Sequence, residues 1–172
     1  KSSSVFIITL GTSVVYEYKT KGSITANCHK LPNKVFVKKV LTVEENISNI
    51  RKTIDLIKQN IPGAKIIFSL SPVRHTPNDL IGNSYSKSVL RSSLGVLSEC
   101  EDIFYFPAFE VVMDELRDYD NYKNDMVHLK KKAVEYINKE ILGGNYKAEL
   151  SGKVEEEKGV FQLYKFKVKI DG

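Results

Sequence analysis

Lys65-Ile66-Ile67-Phe68-Ser69-Leu70 (KIIFSL), followed at once by Ser71-Pro72-Val73-Arg74-His75, is the stretch on which the fold turns. Six residues rich in branched and aromatic side chains read as a strand covered on both faces, and the chain turns at Pro72. A matching run lies upstream at Val5–Leu10 (VFIITL), ended by Gly11, and a third downstream at Asp102–Phe106 (DIFYF). Between the first two, Ile47, Ile50, Ile54, Ile57 and Ile61 recur at three and four residues, which draws one apolar stripe along a helix. Thr42 and Glu45 have the spacing of a capping box at its start, and Pro62-Gly63 stops it. Ser84–Ser98 is a second helix, with Val89, Leu90, Leu94 and Leu97 apolar. Leu129–Leu142 is the last, with Ala133, Val134, Ile137 and Ile141 inward and Gly143-Gly144 as the stop.

Strand and helix in alternation predict a parallel sheet with helices on its faces, because parallel neighbours need a right-handed crossover. The fold class is α/β. In such sheets functional residues gather beyond the carboxyl ends of the strands. The informative loops therefore follow Leu10, Leu70 and Phe106. Val14–Phe36 is expected to be an irregular excursion of short strand-like pieces. At the far end Tyr164, Phe166, Val168 and Ile170 alternate with Lys165, Lys167 and Lys169, the period of a half-exposed strand. Residues 1–144 are expected to form the α/β domain and 145–172 an appended β-hairpin, whose lysines serve solubility on an open edge or meet an anionic partner.

At about 150 residues per domain, 172 residues predict one main domain, which can bury roughly 70% of its unfolded surface without metal or disulfide staples. With 42% hydrophobic and 27% charged residues, collagen-like, disordered and membrane-embedded classes are excluded. No apolar run reaches about 18 residues, so no membrane partner is expected. The net charge of +5 is spread among acids and forms no stripe beside aromatics, which argues against nucleic acid. Cys28 and Cys100 cannot build a disulfide framework and read as two buried thiols of a reducing, cytoplasmic compartment. The chain opens on Lys1 and shows neither a native start nor a signal peptide, so it is expected to be a piece of something longer.

Only three histidines exist, His29, His75 and His128, and all three fall in loops. Asp125 and His128 stand three apart immediately before the last helix. A carboxylate there can accept the proton of one imidazole nitrogen and leave the other to take a proton from a serine hydroxyl. Arg74 can hold an anionic or carbonyl group bidentately, with His75 orienting it or acting as an accessory base. The alternative for that segment is a plain turn with a surface arginine and a capping histidine. After the first strand, Gly11 allows close backbone approach, and the following amides and hydroxyls of Thr12 and Ser13 can donate to an oxyanion. Glu110, Asp114, Glu115, Asp118 and Asp120 read as a solvated helix face with a salt bridge to Arg117 rather than a metal site. No CxxC or HxxxH spacing joins Cys28, His29, His75 and His128, so neither a metal ion nor a cofactor is expected.

The succession IITLGTSVVYE (Ile7–Glu17), NCHKLP (Asn27–Pro32), FSLSPVRH (Phe68–His75), YSKSVLR (Tyr85–Arg91), YFPAFEVVMDELRDY (Tyr105–Tyr119) and DMVH (Asp125–His128) closely resembles the bacterial GSCFA-domain proteins, over about Val5–Leu142. Through them the chain is similar to the SGNH (GDSL-like) hydrolase superfamily, which implies a three-layer α/β/α sandwich and acyl-ester hydrolysis or acyl transfer. The resemblance makes Asp125 and His128 the acid and base of a catalytic triad. It puts Gly11-Thr12-Ser13 where the superfamily has Gly-x-Asn, its asparagine an oxyanion donor; here Ser13's hydroxyl or nearby Asn27 would have to substitute. Asn27, His29, Arg74 and His75 fall in the family's own blocks and are carried over as oxyanion or substrate-binding residues. Leu129 replaces the proline that commonly follows the histidine, which should loosen the helix start.

The namesake Gly-Ser-Cys-Phe-Ala segment, which resembles the block bearing the nucleophilic serine, is absent from these residues. Ser13 and Ser71 are the default candidates, and neither sits in a G-x-S-x-G elbow. The expectation is an esterase or O-acyltransferase domain whose substrate is a small-molecule or glycan ester and whose serine lies in an N-terminal segment before Lys1. The alternative is a non-catalytic ligand-binding domain that keeps the pocket without a nucleophile.

Overall fold

The computed structural model of the chain describes residues 5–25, 31–75 and 79–142. Two compact units divide it, Lys1–Phe109 and Glu110–Gly172. The expected hairpin over 145–172, the Gly143-Gly144 stop, Cys28, Asn27 and His29 lie outside the described residues.

In the first unit three parallel strands form the main sheet: β1 (Val5–Leu10), β5 (Lys65–Leu70) and β6 (Ile103–Phe106), in the order β1-β5-β6. Val5 pairs with Lys65 and Leu10 with Leu70, while Ile66 pairs with Ile103. Two crossover helices connect them, α1 (Val43–Asn60) and α2 (Leu80–Leu97). The pleat alternates side chains, so Ile66, Phe68 and Leu70 face one way. They meet Ile50 and Ile54 of α1 and Leu90, Leu94 and Leu97 of α2 in one core with Ile103 and Tyr105. Each such side chain contributes about 1.5–3 kcal/mol by leaving water. The opposite row is graded: Ile67, Ser69 and Phe106 are buried, whereas Ile7 on the edge strand keeps 47% of its surface exposed. The expectation that β1 is covered on both faces is thus corrected, because Phe6, Ile8 and Leu10 pack against the core while Ile7 and Thr9 on the other face are exposed.

Helix α1 begins at the capping box read from the sequence. The Glu45 amide donates to Thr42 Oγ1 at 3.2 Å, and Glu45 Oε2 accepts the Thr42 amide at 2.8 Å. Its end falls at Ile61, before Gly63 takes a left-handed φ of +80° that favours glycine. Helix α2 starts four residues earlier than Ser84, at an Asp79 N-cap whose side chain accepts the Gly82 amide at 2.7 Å. The periodicity missed this turn because Leu80 and Ile81 point into solvent, off the apolar stripe.

The Val14–Phe36 excursion is more regular than expected and reaches further. An antiparallel sheet in the order β3-β2-β4 joins β2 (Val14–Tyr18), β3 (Ile24–Thr25) and β4 (Phe36–Val40), with Tyr16 and Tyr18 against the Phe36 ring.

Past β6 the chain makes one short turn, α3 (Ala108–Glu110), and a π-helical turn over Val111–Glu115 in which the Leu116 amide donates to Val111 O at 2.9 Å. The expected solvated helix face is therefore only a few residues long. Asp120 pairs with Lys130 at 2.6 Å and with Lys132, in place of the bridge to Arg117. Helix α4 (Lys131–Leu142) begins two residues after Leu129, which is buried and bridges to Tyr122 as a short strand-like pair. Cys100, expected to be buried, is an exposed free thiol in the turn after α2. Among the described residues no helix is long and apolar enough to cross a membrane.

Candidate functional site

In the second unit the turn Asp125-Met126-Val127-His128 holds a carboxylate against an imidazole. Asp125 Oδ1 accepts the amides of Val127 at 2.9 Å and His128 at 3.0 Å, and Asp125 Oδ2 lies 2.8 Å from His128 Nδ1. Asp125 thus folds back on its own backbone, a habit of aspartate at turns. The His128 amide first, then the Val127 amide and the imidazole, hold the Asp125 carboxyl far below the usual carboxylate range. Met126 makes the reversal possible by adopting a left-handed φ of +55°, a conformation that costs a non-glycine residue about 1 kcal/mol. Flanking pairs close the loop: the Lys123 amide donates to His128 O and the Lys130 amide to Asn121 O, each at 2.8 Å. With Nδ1 facing the carboxylate, Nε2 is the nitrogen left to exchange a proton with a ligand. Both side chains are exposed.

In the first unit the carboxyl ends of β1 and β5 carry the other candidates. Ser13 is 1% exposed. Its amide donates to Ser86 Oγ at 2.8 Å and its hydroxyl to the Ser86 carbonyl at 2.9 Å, so in this geometry neither donor is directed at a ligand. Thr12 Oγ1 lies 2.9 Å from Ser86 Oγ and accepts the Val14 amide at 3.0 Å. Ser71 Oγ accepts the Val73 amide at 3.2 Å, the bond of a serine turn. Arg74 is half-buried beyond Pro72, and the His75 amide donates to Asn83 Oδ1 at 3.1 Å. Burial, and then the positive charges of Lys38 and Lys87, push the His75 imidazole below its ordinary pKa.

Ser86 and Lys87, which sequence reasoning quoted within YSKSVLR but gave no role, turn out to organise this rim. Lys87 is 3% exposed, and its ammonium donates to Gly11 O at 2.8 Å and Ser71 O at 2.6 Å. Burial lowers its pKa to about 8. The signal available was a serine and a lysine lying on the same helical stripe as Leu90, Leu94 and Leu97, where solvent-facing residues are not expected. A shallow groove along the outer side of α1, between Glu44, Arg51, Asp55 and Val96, contains none of these residues. Among the described residues no three His, Cys, Asp or Glu side chains converge as a metal ion needs.

Parallel strands joined by helices, with polar side chains gathered beyond their carboxyl ends, define a mixed α/β domain. The chain belongs to the GSCFA family, whose model matches residues 1–140. No match was found among curated proteins or solved structures.

Proposed function

We propose that the chain is part of an SGNH-type serine esterase or O-acyltransferase, a three-layer α/β/α domain over 1–144 with a hairpin appended at 145–172, acting on an acyl ester such as that of a carbohydrate. The observation that carries this reading is the 2.8 Å contact between Asp125 Oδ2 and His128 Nδ1 in the DMVH block. The nucleophile is a serine preceding Lys1. Support comes from the default serines themselves, since the Ser13 hydroxyl is committed to the Ser86 carbonyl and Ser71 Oγ to the Val73 amide. Among the described residues β1 has one strand neighbour, β5, and an added parallel strand on its other side would bring such a serine to the same rim.

In mechanism, His128 Nε2 takes the serine proton as Oγ attacks the ester carbonyl carbon, and the π pair moves onto oxygen. Asp125 fixes the tautomer and steadies the imidazolium. Collapse restores the carbonyl, breaks the bond to the leaving alkoxide and returns the proton to it from His128. Water or a sugar hydroxyl then takes the acyl group by the same steps in reverse. Gly11, Thr12, Asn27, His29, Arg74 and His75 are proposed for the oxyanion and substrate side of the reaction, while Ser13, expected there from the sequence, has its amide and hydroxyl taken by Ser86.

Removing a general base costs roughly 10²–10⁴ in rate, so in the full-length protein His128→Ala should lose that factor against p-nitrophenyl acetate. Equal turnover by the variant and the parent rejects the assignment. A binding-only reading draws on the same committed serines, and a fluorophosphonate probe separates the two: covalent labelling of the full-length protein at a serine refutes binding alone.

A further inference from the structure

The last bond of the β1–β5 ladder runs from the Ser71 amide to Leu10 O at 2.8 Å. In a parallel ladder the next would run from the Thr12 amide to Ser71 O, because one residue bonds to both neighbours of its partner. That bond is missing. Lys87 occupies the Ser71 carbonyl at 2.6 Å and reaches the Gly11 carbonyl at 2.8 Å as well. Carbonyl and amide of one planar trans peptide point in opposite directions. With Gly11 C=O held on the ammonium, the Thr12 N–H of the same peptide points away from it. The two amides that follow are both occupied, Ser13 by Ser86 Oγ and Val14 by Thr12 Oγ1. Among the described residues the Thr12 amide has no partner, and Thr12 itself is half-buried at the rim.

We infer that Lys87 is a positioning residue that ends the strand ladder and turns the Gly11–Thr12 peptide, so that the Thr12 amide is presented as the hydrogen-bond donor for the oxyanion of a bound ester. The inference rests on the ester chemistry proposed above and assigns to a main-chain amide the donor role that the family pattern gives to a side chain at Ser13. The ammonium acts through the peptide it holds. Its charge also polarises the Gly11–Thr12 bond, which makes that amide a stronger donor. Ser86 supports the arrangement by taking the Ser13 amide and hydroxyl out of competition.

The test uses the full-length protein. Losing one oxyanion donor costs roughly 10²–10³ in kcat, so Lys87→Met, which lets the peptide turn back onto Ser71, should lower kcat for p-nitrophenyl acetate about 100-fold and leave KM within about twofold. Lys87→Arg should recover part of the loss. In 15N-labelled wild-type protein, phenylboronic acid, whose adduct with the serine is tetrahedral, should move the Thr12 amide proton downfield and leave those of Ser13 and Val14 in place. If His128→Ala is inactive while Lys87→Met keeps its kcat below its melting temperature, or the Thr12 amide does not move in the boronate adduct, the inference is overturned and the ester chemistry stands. Full turnover by His128→Ala overturns both. The boronate measurement needs no variant, so a Lys87→Met protein that fails to fold still leaves a decision.

Discussion

Ser86→Ala removes the acceptor on which the Gly11–Thr12–Ser13 turn is hung. Ser86 and Ser13 are 2% and 1% exposed, so water cannot replace the lost oxygen. The Ser13 amide, now 2.8 Å from Ser86 Oγ, is left buried and unpaired, which costs about 1–3 kcal/mol. Loss of the 2.9 Å contact to Thr12 Oγ1 adds about 0.5–1 kcal/mol, and alanine's better helix propensity returns about 0.5 kcal/mol. The net is a loss of about 2 kcal/mol, or roughly 4–8 °C in melting temperature for a chain of this length. Ser93→Ala is the matched control on the same helix. Its hydroxyl only donates, to Val89 O at 2.9 Å and Val43 O at 3.2 Å, so its removal orphans no donor and should cost less than about 1 kcal/mol. Paired urea titrations followed by circular dichroism read both variants. A Ser86→Ala midpoint no lower than that of Ser93→Ala would refute the hanging-turn account.

Three further outcomes are expected. The Lys87 pKa is about 8 in the folded chain against an ordinary 10.5, so between those values the unfolded state holds a proton that the native state has released. Stability from this group therefore rises from pH 8 to 10.5, by up to about 3 kcal/mol, and urea midpoints of wild type should gain on those of Lys87→Met over that window; parallel curves would dismiss the buried charge. Ser69 Oγ is buried without a partner among the described residues, so Ser69→Ala should stabilise the chain by about 1 kcal/mol in thermal melts, and a drop in melting temperature would mean that the hydroxyl is bonded. A Cβ on Gly82 would overlap the Asp79 carboxylate, so Gly82→Ala should displace the α2 cap, a loss of about 1 kcal/mol that alanine's helix propensity offsets in global stability but that amide exchange at the first turn of α2 would register as lost protection.

What could be read from the sequence was what is local. β1 and β5 matched their apolar runs residue for residue, and α1 was bounded by the Thr42–Glu45 box and Pro62-Gly63, because each signal lies within a few residues of the element it sets. The Asp125–His128 contact was legible for the same reason, since a three-residue spacing inside a turn leaves little choice of partner. The rim was not. Ser13 meets Ser86 across 73 positions and Lys87 meets Gly11 across 76, and such pairs exist only once the crossover has brought α2 onto the strand ends. The start of α2 was missed because its first turn faces water, and the β3-β2-β4 sheet because its strands are short and half-exposed. Cys100 broke the usual habit of a free thiol, which composition alone cannot foresee.

The backward bend at Met126 has one more consequence. Because the two amides beyond it already grip Asp125, and the Tyr122–Leu129 bridge staples the base of the loop, the entropy of fixing carboxylate and imidazole is spent when this segment folds and not when a ligand arrives. A ligand docking at this turn would find the ring already set.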